Sequence, residues 1–245
     1  MSLEAVMVCL DNSEWTRNGD FAPTRWENQQ DAANMVCEAK TQQNPETTIG
    51  LMSSAGKRVE VVLTQTNDIG RLLAVVQEIK IDGENDLPTG LQIAQLSLKH
   101  RQNKNQRQRI IAFVGSPVDQ NRDFAQLGKR MKKNNVAVDI VNFGHPENLP
   151  KLQALVDAAN NNENSHLLDV PAGITAITDI LIASPILSAA DMMQPMGGGA
   201  EGGAAVGGGA GHLAEFGGID PNLDPELAFA MRISMEEEKA RLEQE

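Results

Sequence analysis

Few residues of this chain stand where chemistry would need them. His100, His145, His166 and His212 are scattered, without the spacing that brings imidazoles together on a metal. Cys9 and Cys37 show no paired spacing for a disulfide framework or a zinc site, which leaves buried free thiols in a reducing compartment as the better reading. No serine or cysteine sits in a recognisable nucleophile elbow, and no pair of carboxylates can be placed together for acid–base work. Two stretches remain. One is VCLDNSEW, an apolar run that ends at Asp11, Asn12 and Ser13. The other is DPELAFAMRISMEEEKARLEQE, residues 224–245, whose chemistry is recognition rather than reaction.

That second stretch reads as a helix. Asp224 can cap the first free amides, Pro225 suits the first helical position, and Glu226 puts negative charge at the positive end of the dipole. At the helical period Leu227, Ala230, Met231, Ser234 and Met235 fall on one arc, with Phe229 and Ile233 on the opposite side. A helix this short is marginal alone in water, so its apolar arc needs a partner. The residues before it are MGGGAEGGAAVGGGAGHLAEFGG, which cannot bury enough apolar surface to order themselves. Residues 192–223 are therefore expected to be a flexible Gly-rich linker with a root-mean-square span of roughly 30 Å.

The rest of the chain must supply the scaffold. With 245 residues and 41% hydrophobic content, it can bury one core of about 150 to 200 residues and still leave a tail. The net charge of −12 argues against nucleic acid and against an anionic membrane surface, since both need a basic surface. Two local basic runs, LKHRQNKNQRQR and KRMKK, read as solvated helix ends. MSLEAV has no signal-peptide character, and the most apolar later window carries Asp179 and Pro185, so a soluble cytoplasmic and nuclear protein is expected.

Residues 1–191 alternate short β-rich runs with helical periods, the pattern of an α/β domain whose mostly parallel, doubly wound sheet is covered by helices on both faces. Strands are predicted at 4–10, 47–53, 59–64, 109–115, 136–143 and 165–170. Helices are predicted near 24–43, 67–79, 89–101, 123–134, 148–160 and 174–183. The second and third strands, joined by SAGKR, read as a hairpin that adds one antiparallel strand.

In open α/β sheets ligands bind beyond the carboxyl ends of the strands, which directs attention to the loop after the first strand. The run Asp11, Asn12, Ser13, Glu14, Trp15 resembles the von Willebrand factor A family, whose D-x-S-x-S loop gives a carboxylate and two hydroxyls to a magnesium-type ion. Asp11 and Ser13 match. Trp15 stands where the second serine belongs, and an indole has no oxygen lone pair for a hard cation. Metal-binding members also carry an acid at the end of the fourth main strand, where Gly115 and Ser116 stand here. The expectation is that the chain holds no metal and no cofactor, and that Asp11 is a buried, hydrogen-bonded carboxylate that fixes its loop.

LDNSEWTRNGDF, IAQLSLKHRQNK, RIIAFVGSPV, KKNNVAVDIVNFG and DPELAFAMRISMEEE together resemble the polyubiquitin-receptor family of the proteasome regulatory particle. The last of these is similar to a ubiquitin-interacting motif, through Glu226, Leu227, Ala230, Ser234 and the acids Glu236, Glu237 and Glu238. What the resemblance implies is a non-enzymatic protein. Its helix, with Met231 and Met235 beside Leu227 and Ala230, binds ubiquitin and polyubiquitin chains. Its head docks between the lid and base subunits of the regulatory particle through surfaces such as the loop of Asp11 and Ser13. The rival readings are a ubiquitin adaptor outside the proteasome, for example in membrane traffic, and an α/β domain that binds a metal or nucleotide.

Overall fold

The computed structural model describes residues 3–119, 121–171 and 176–187. The expected linker and the helix at 224–245, with Glu226, Leu227, Ala230, Met231, Ser234, Met235 and Glu236 to Glu238, lie outside the described residues.

Strand β1 (Glu4–Leu10) is buried at every position, which a sheet with one wet face cannot give. Its side chains alternate between two cores. Val6, Val8 and Leu10 pack with residues of α1 (Arg25–Gln43), α2 (Ile69–Glu78) and α6 (Ile177–Ile182). Ala5, Met7 and Cys9 pack with residues of α3 (Leu87–Lys99), α4 (Phe124–Lys133) and α5 (Leu149–Ala159). The sheet has the order β3-β2-β1-β4-β5-β6, with β2 at Thr48–Ser53, β3 at Glu60–Thr66, β4 at Arg107–Val114, β5 at Val136–Phe143 and β6 at Leu167–Val170. Among the described strands only β3 runs antiparallel, as the second arm of the expected hairpin.

Several element bounds differ from expectation for local reasons. Strand β4 starts at Arg107 because Glu4 pairs with it across the sheet. Strand β3 continues to Thr66, which pairs with Ile49. Helix α3 starts at Leu87 because the Asp86 carboxylate accepts the amide of Thr89 at 3.2 Å and caps the helix there. Strand β6 starts two residues late, and the Ser165 hydroxyl takes the amide of Val138 at 3.0 Å in place of a ladder bond.

At the amino ends of the strands lies a buried ionic cluster. Glu4 bonds Lys40 and Arg109, each at 3.1 Å, and Arg109 also bonds Asp139 at 2.5 Å. His166 Nδ1 lies 2.9 Å from the other oxygen of Asp139. Burial alone would raise the Asp139 carboxyl, but the Arg109 charge and the His166 contact reverse this and hold it below the usual carboxylate range. Both cysteines are buried, and burial pushes the Cys37 thiol up to about 12. Among the described residues no helix is long and apolar enough to cross a membrane.

Candidate functional site

Asp11 directly follows β1, at the point where the chain leaves β1 for one neighbour, β2, while β4 lies on the other side. Helix α1 grips this position. The Gln29 side chain accepts the Asp11 amide at 3.2 Å and donates to its carbonyl at 3.0 Å, a side-chain copy of a strand neighbour. Asn12 extends the clasp by accepting from Ala55 N and donating to Lys80 O, both at 2.9 Å. Backbone bonds from Asp82 to Asn12 and from Glu14 to Gly83 complete it.

The Asp11 carboxylate itself is a hub. Oδ1 accepts the amide of Ser13 at 3.0 Å. Oδ2 accepts the Gly115 amide at 2.9 Å, the Ser116 hydroxyl at 2.6 Å and the Asn85 amide group at 2.9 Å. Asn85 Nδ2 also lies 3.0 Å from Ser116 Oγ, so the donors run in sequence from amide to hydroxyl to carboxylate. The network continues across the sheet top, since Asn148 donates to Ser116 O at 2.9 Å and to Asn142 Oδ1 at 3.2 Å. Charge-assisted bonds of this kind, in a buried place, fix one loop geometry.

This donor set does not fit a hard divalent cation. The oxygens of Asp11 already face four hydrogen-bond donors, and the indole of Trp15 adds no ligand. Ser13 Oγ and Asn85 Oδ1 are buried without a protein partner, but they are neutral oxygens and supply no second carboxylate. No side chain at all fits at Gly115, because a Cβ there would stand 2.4 Å from the Phe143 ring. Among the described residues no group of three or more His, Cys, Asp or Glu could hold a metal ion.

Arg25 braces the same loops from the α1 side. It makes two bonds to Asp20 at 2.7 Å and donates to the carbonyls of Gly115 and Gly144. This hydrogen-bonded pairing holds the Asp20 carboxyl below its ordinary range. Gly144, at φ +76°, must be glycine both for its backbone and because a Cβ would meet the guanidinium at 2.5 Å.

Asp11 and Ser13 are fully buried, so their side chains shape the loop rather than form its surface. Trp15 is the outward residue, 49% exposed, with its ring edge-on to His145 at a centroid distance of 5.2 Å. Glu14 and Arg17 pair beside it, both exposed. His145 Nδ1 lies 2.7 Å from Glu147, whose carboxyl is lowered by that bond. Trp15 drew attention in the sequence only as a failed metal ligand. Gln29, Arg25 and Asn85 carried no signal, because a polar residue on a helix or loop gives no hint of which distant backbone it will meet.

The sequence matches the von Willebrand factor type A domain over residues 6–117. Over 99% of its length the chain is 43% identical to "26S proteasome regulatory subunit rpn10" of Schizosaccharomyces pombe and covers 93% of that protein. The chain belongs to the family of 26S proteasome non-ATPase regulatory subunit 4, also named Rpn10. A relative in Arabidopsis thaliana, "26S proteasome non-ATPase regulatory subunit 4 homolog", is 49% identical over 99% of the chain, which spans 63% of that relative's length. Among solved structures, the crystal structure of the SpRpn10 VWA domain superposes with a TM-score of 0.71 at 45% identity, covering 75% of this chain and 96% of that one. The fold is thus the von Willebrand factor A fold of the Rpn10 family.

Proposed function

We propose that the chain is a non-catalytic ubiquitin receptor of the proteasome regulatory particle. In this reading residues 1–191 are the docking head, 192–223 the tether and 224–245 the ubiquitin-binding helix. One observation carries the reading: a chain of the Rpn10 family ends in the helical pattern Glu226, Leu227, Ala230, Ser234 and Glu236 to Glu238. A single helix can lie in a shallow apolar patch only if a residue as small as Ala230 sits at the closest approach, with Leu227, Met231 and Met235 at the patch edges. Ser234 then bonds exposed backbone, and the acids steer encounter with a basic rim.

The head docks at the lid–base junction through the face above the carboxyl ends of the strands. Asp11 and Ser13 act there by holding the loop, and the exposed Trp15 is the contact residue. Buried aromatic anchors dominate interface energetics, which suits an indole held on a rigid base. Affinity purification of the full chain from cell extract tests this. Proteasome subunits should co-purify, and Trp15→Ala should reduce their recovery without lowering thermal stability. Recovery of vesicle-coat proteins instead would favour the adaptor reading, and recovery of neither would remove both.

A further inference from the structure

Among the described strands β3 ends the sheet, with a strand neighbour on one side only. Along it Val61 pairs with Met52 and Leu63 with Leu51, which leaves Val62 without a partner on β2, the extra residue of a bulge. A bulge at an edge blunts it against strand addition. That role asks for no apolar side chain, yet Val62 is β-branched and 38% exposed.

Val62 lines a cleft of about 660 Å³ together with Ala55, Lys57, Arg58, Ile79 and Lys80. Its lining comes mainly from the turn between β2 and β3 and from the segment that follows α2. These two pieces of chain are locked together. A Cβ on Gly83 would stand 2.9 Å from the Gly56 Cα, so the close approach of the two loops depends on glycine. The second piece is also tied to the Asp11 loop, because Asn12 donates to Lys80 O and accepts the Asp82 amide at its carbonyl, both at 2.9 Å. The cleft is therefore preformed, which spares a ligand the cost of ordering it.

In a chain of net charge −12, Lys57, Arg58 and Lys80 bring three exposed cations to this cleft, and none forms an ion pair among the described residues. Lys80, just past the end of α2, complements that helix's dipole. Lys57 and Arg58 stand in a hairpin turn and have no such role. Glu60 and Asp82 also line the cleft and would repel a polyanion, and no lining residue is an aromatic on which a base could stack. Nucleic acid is thus disfavoured.

We infer that this cleft is a docking site for an acidic protein segment, which seats one apolar side chain on Val62 and sets carboxylates against Lys57, Arg58 and Lys80. The cations steer the encounter, and the apolar contact fixes the register. Because the bulge interrupts the edge of β3, the segment is held by side chains rather than as an added strand. Trp15 does not line the cleft, so the inference stands apart from what binds there.

The test uses the full chain and a fluorescein-labelled synthetic peptide of Asp, Glu and Gly with one central Leu. A saturable anisotropy change is expected at low salt, weakening about tenfold as salt rises, since exposed charges are screened beyond roughly 10 Å at 0.1 M. Amide shifts of the isotopically labelled chain should centre on the cleft, at residues 53–62 and 79–82. The combined variant Lys57→Gln, Arg58→Gln, Lys80→Gln should weaken binding about tenfold or more with an unchanged melting curve, because all three side chains are exposed and unpaired. Val62→Thr, which keeps the β-branch, should weaken it severalfold. No saturable binding to the parent chain would overturn the inference. So would shifts centred outside the cleft, undiminished binding by either variant, equal affinity for a peptide with Lys in place of its acids, or tighter binding of a single-stranded RNA oligonucleotide than of the peptide.

Discussion

The Ser116 hydroxyl donates to Oδ2 of Asp11 across 2.6 Å, where metal-binding relatives of this fold are expected to place a cation between strand ends. A neutral donor set made of a hydroxyl, two amides and the Asn85 side chain thus stabilises the carboxylate. The loop is held by the protein's own groups. Removing the carboxylate leaves several buried donors without acceptors, each costing about 1–3 kcal/mol. Asp11→Ala should therefore lower stability by about 3–5 kcal/mol and Ser116→Ala by about 1–2 kcal/mol. Urea unfolding checks both, and an Asp11→Ala loss no larger than that of Ser116→Ala would contradict the hub.

Calorimetry with millimolar MgCl₂ should show no saturable heat. Gly115→Asp, which restores the acid of the metal-binding pattern, should not restore binding. It should destabilise the domain instead, because its Cβ would stand 2.4 Å from the Phe143 ring. Saturable Mg²⁺ binding by the parent chain that disappears in Asp11→Ala would sink this account of the loop.

The acid response follows from Asp139 and Asp20, both held below their ordinary range. A carboxyl whose folded value is depressed contributes stability that is present above its unfolded value, near 3.9, and is lost as pH falls through the folded value. Stability from these groups should thus be flat from about pH 7 to 5 and fall below about pH 4. Asp139→Asn should cost about 3–5 kcal/mol at neutral pH, because it leaves buried Arg109 short of a counter-charge. It should also flatten the acid limb. Denaturant midpoints across a pH series measure both, and an acid limb of unchanged steepness would contradict the assignment.

How much of this was legible in the sequence depends on range. The buried run EAVMVCL and the helical periods around it gave the sheet and its covering helices, because a repeat of two or of 3.6 is a local signal. Asp11 as a buried, bonded carboxylate was legible because Trp15 and Gly115 removed the metal reading. Its partners were not. Asn85 and Ser116 lie 74 and 105 residues away, and Gln29 reaches back from α1. The reason Gly115 is glycine lies in Phe143, on another strand.

The central claim is that Ala230 marks the contact face of a ubiquitin-binding helix. Titrating isotopically labelled ubiquitin with the full chain, and with Ala230→Glu and Phe229→Ala, measures it most directly. One short helix buries a small interface and must order itself on docking, so the expected Kd is on the order of 0.1 to 1 mM, or about 4 to 5.5 kcal/mol. The account predicts saturable shifts confined to one apolar patch of ubiquitin, abolished by Ala230→Glu and only modestly weakened by Phe229→Ala. Absence of shifts with the parent chain, or a loss with Phe229→Ala as large as with Ala230→Glu, would contradict it.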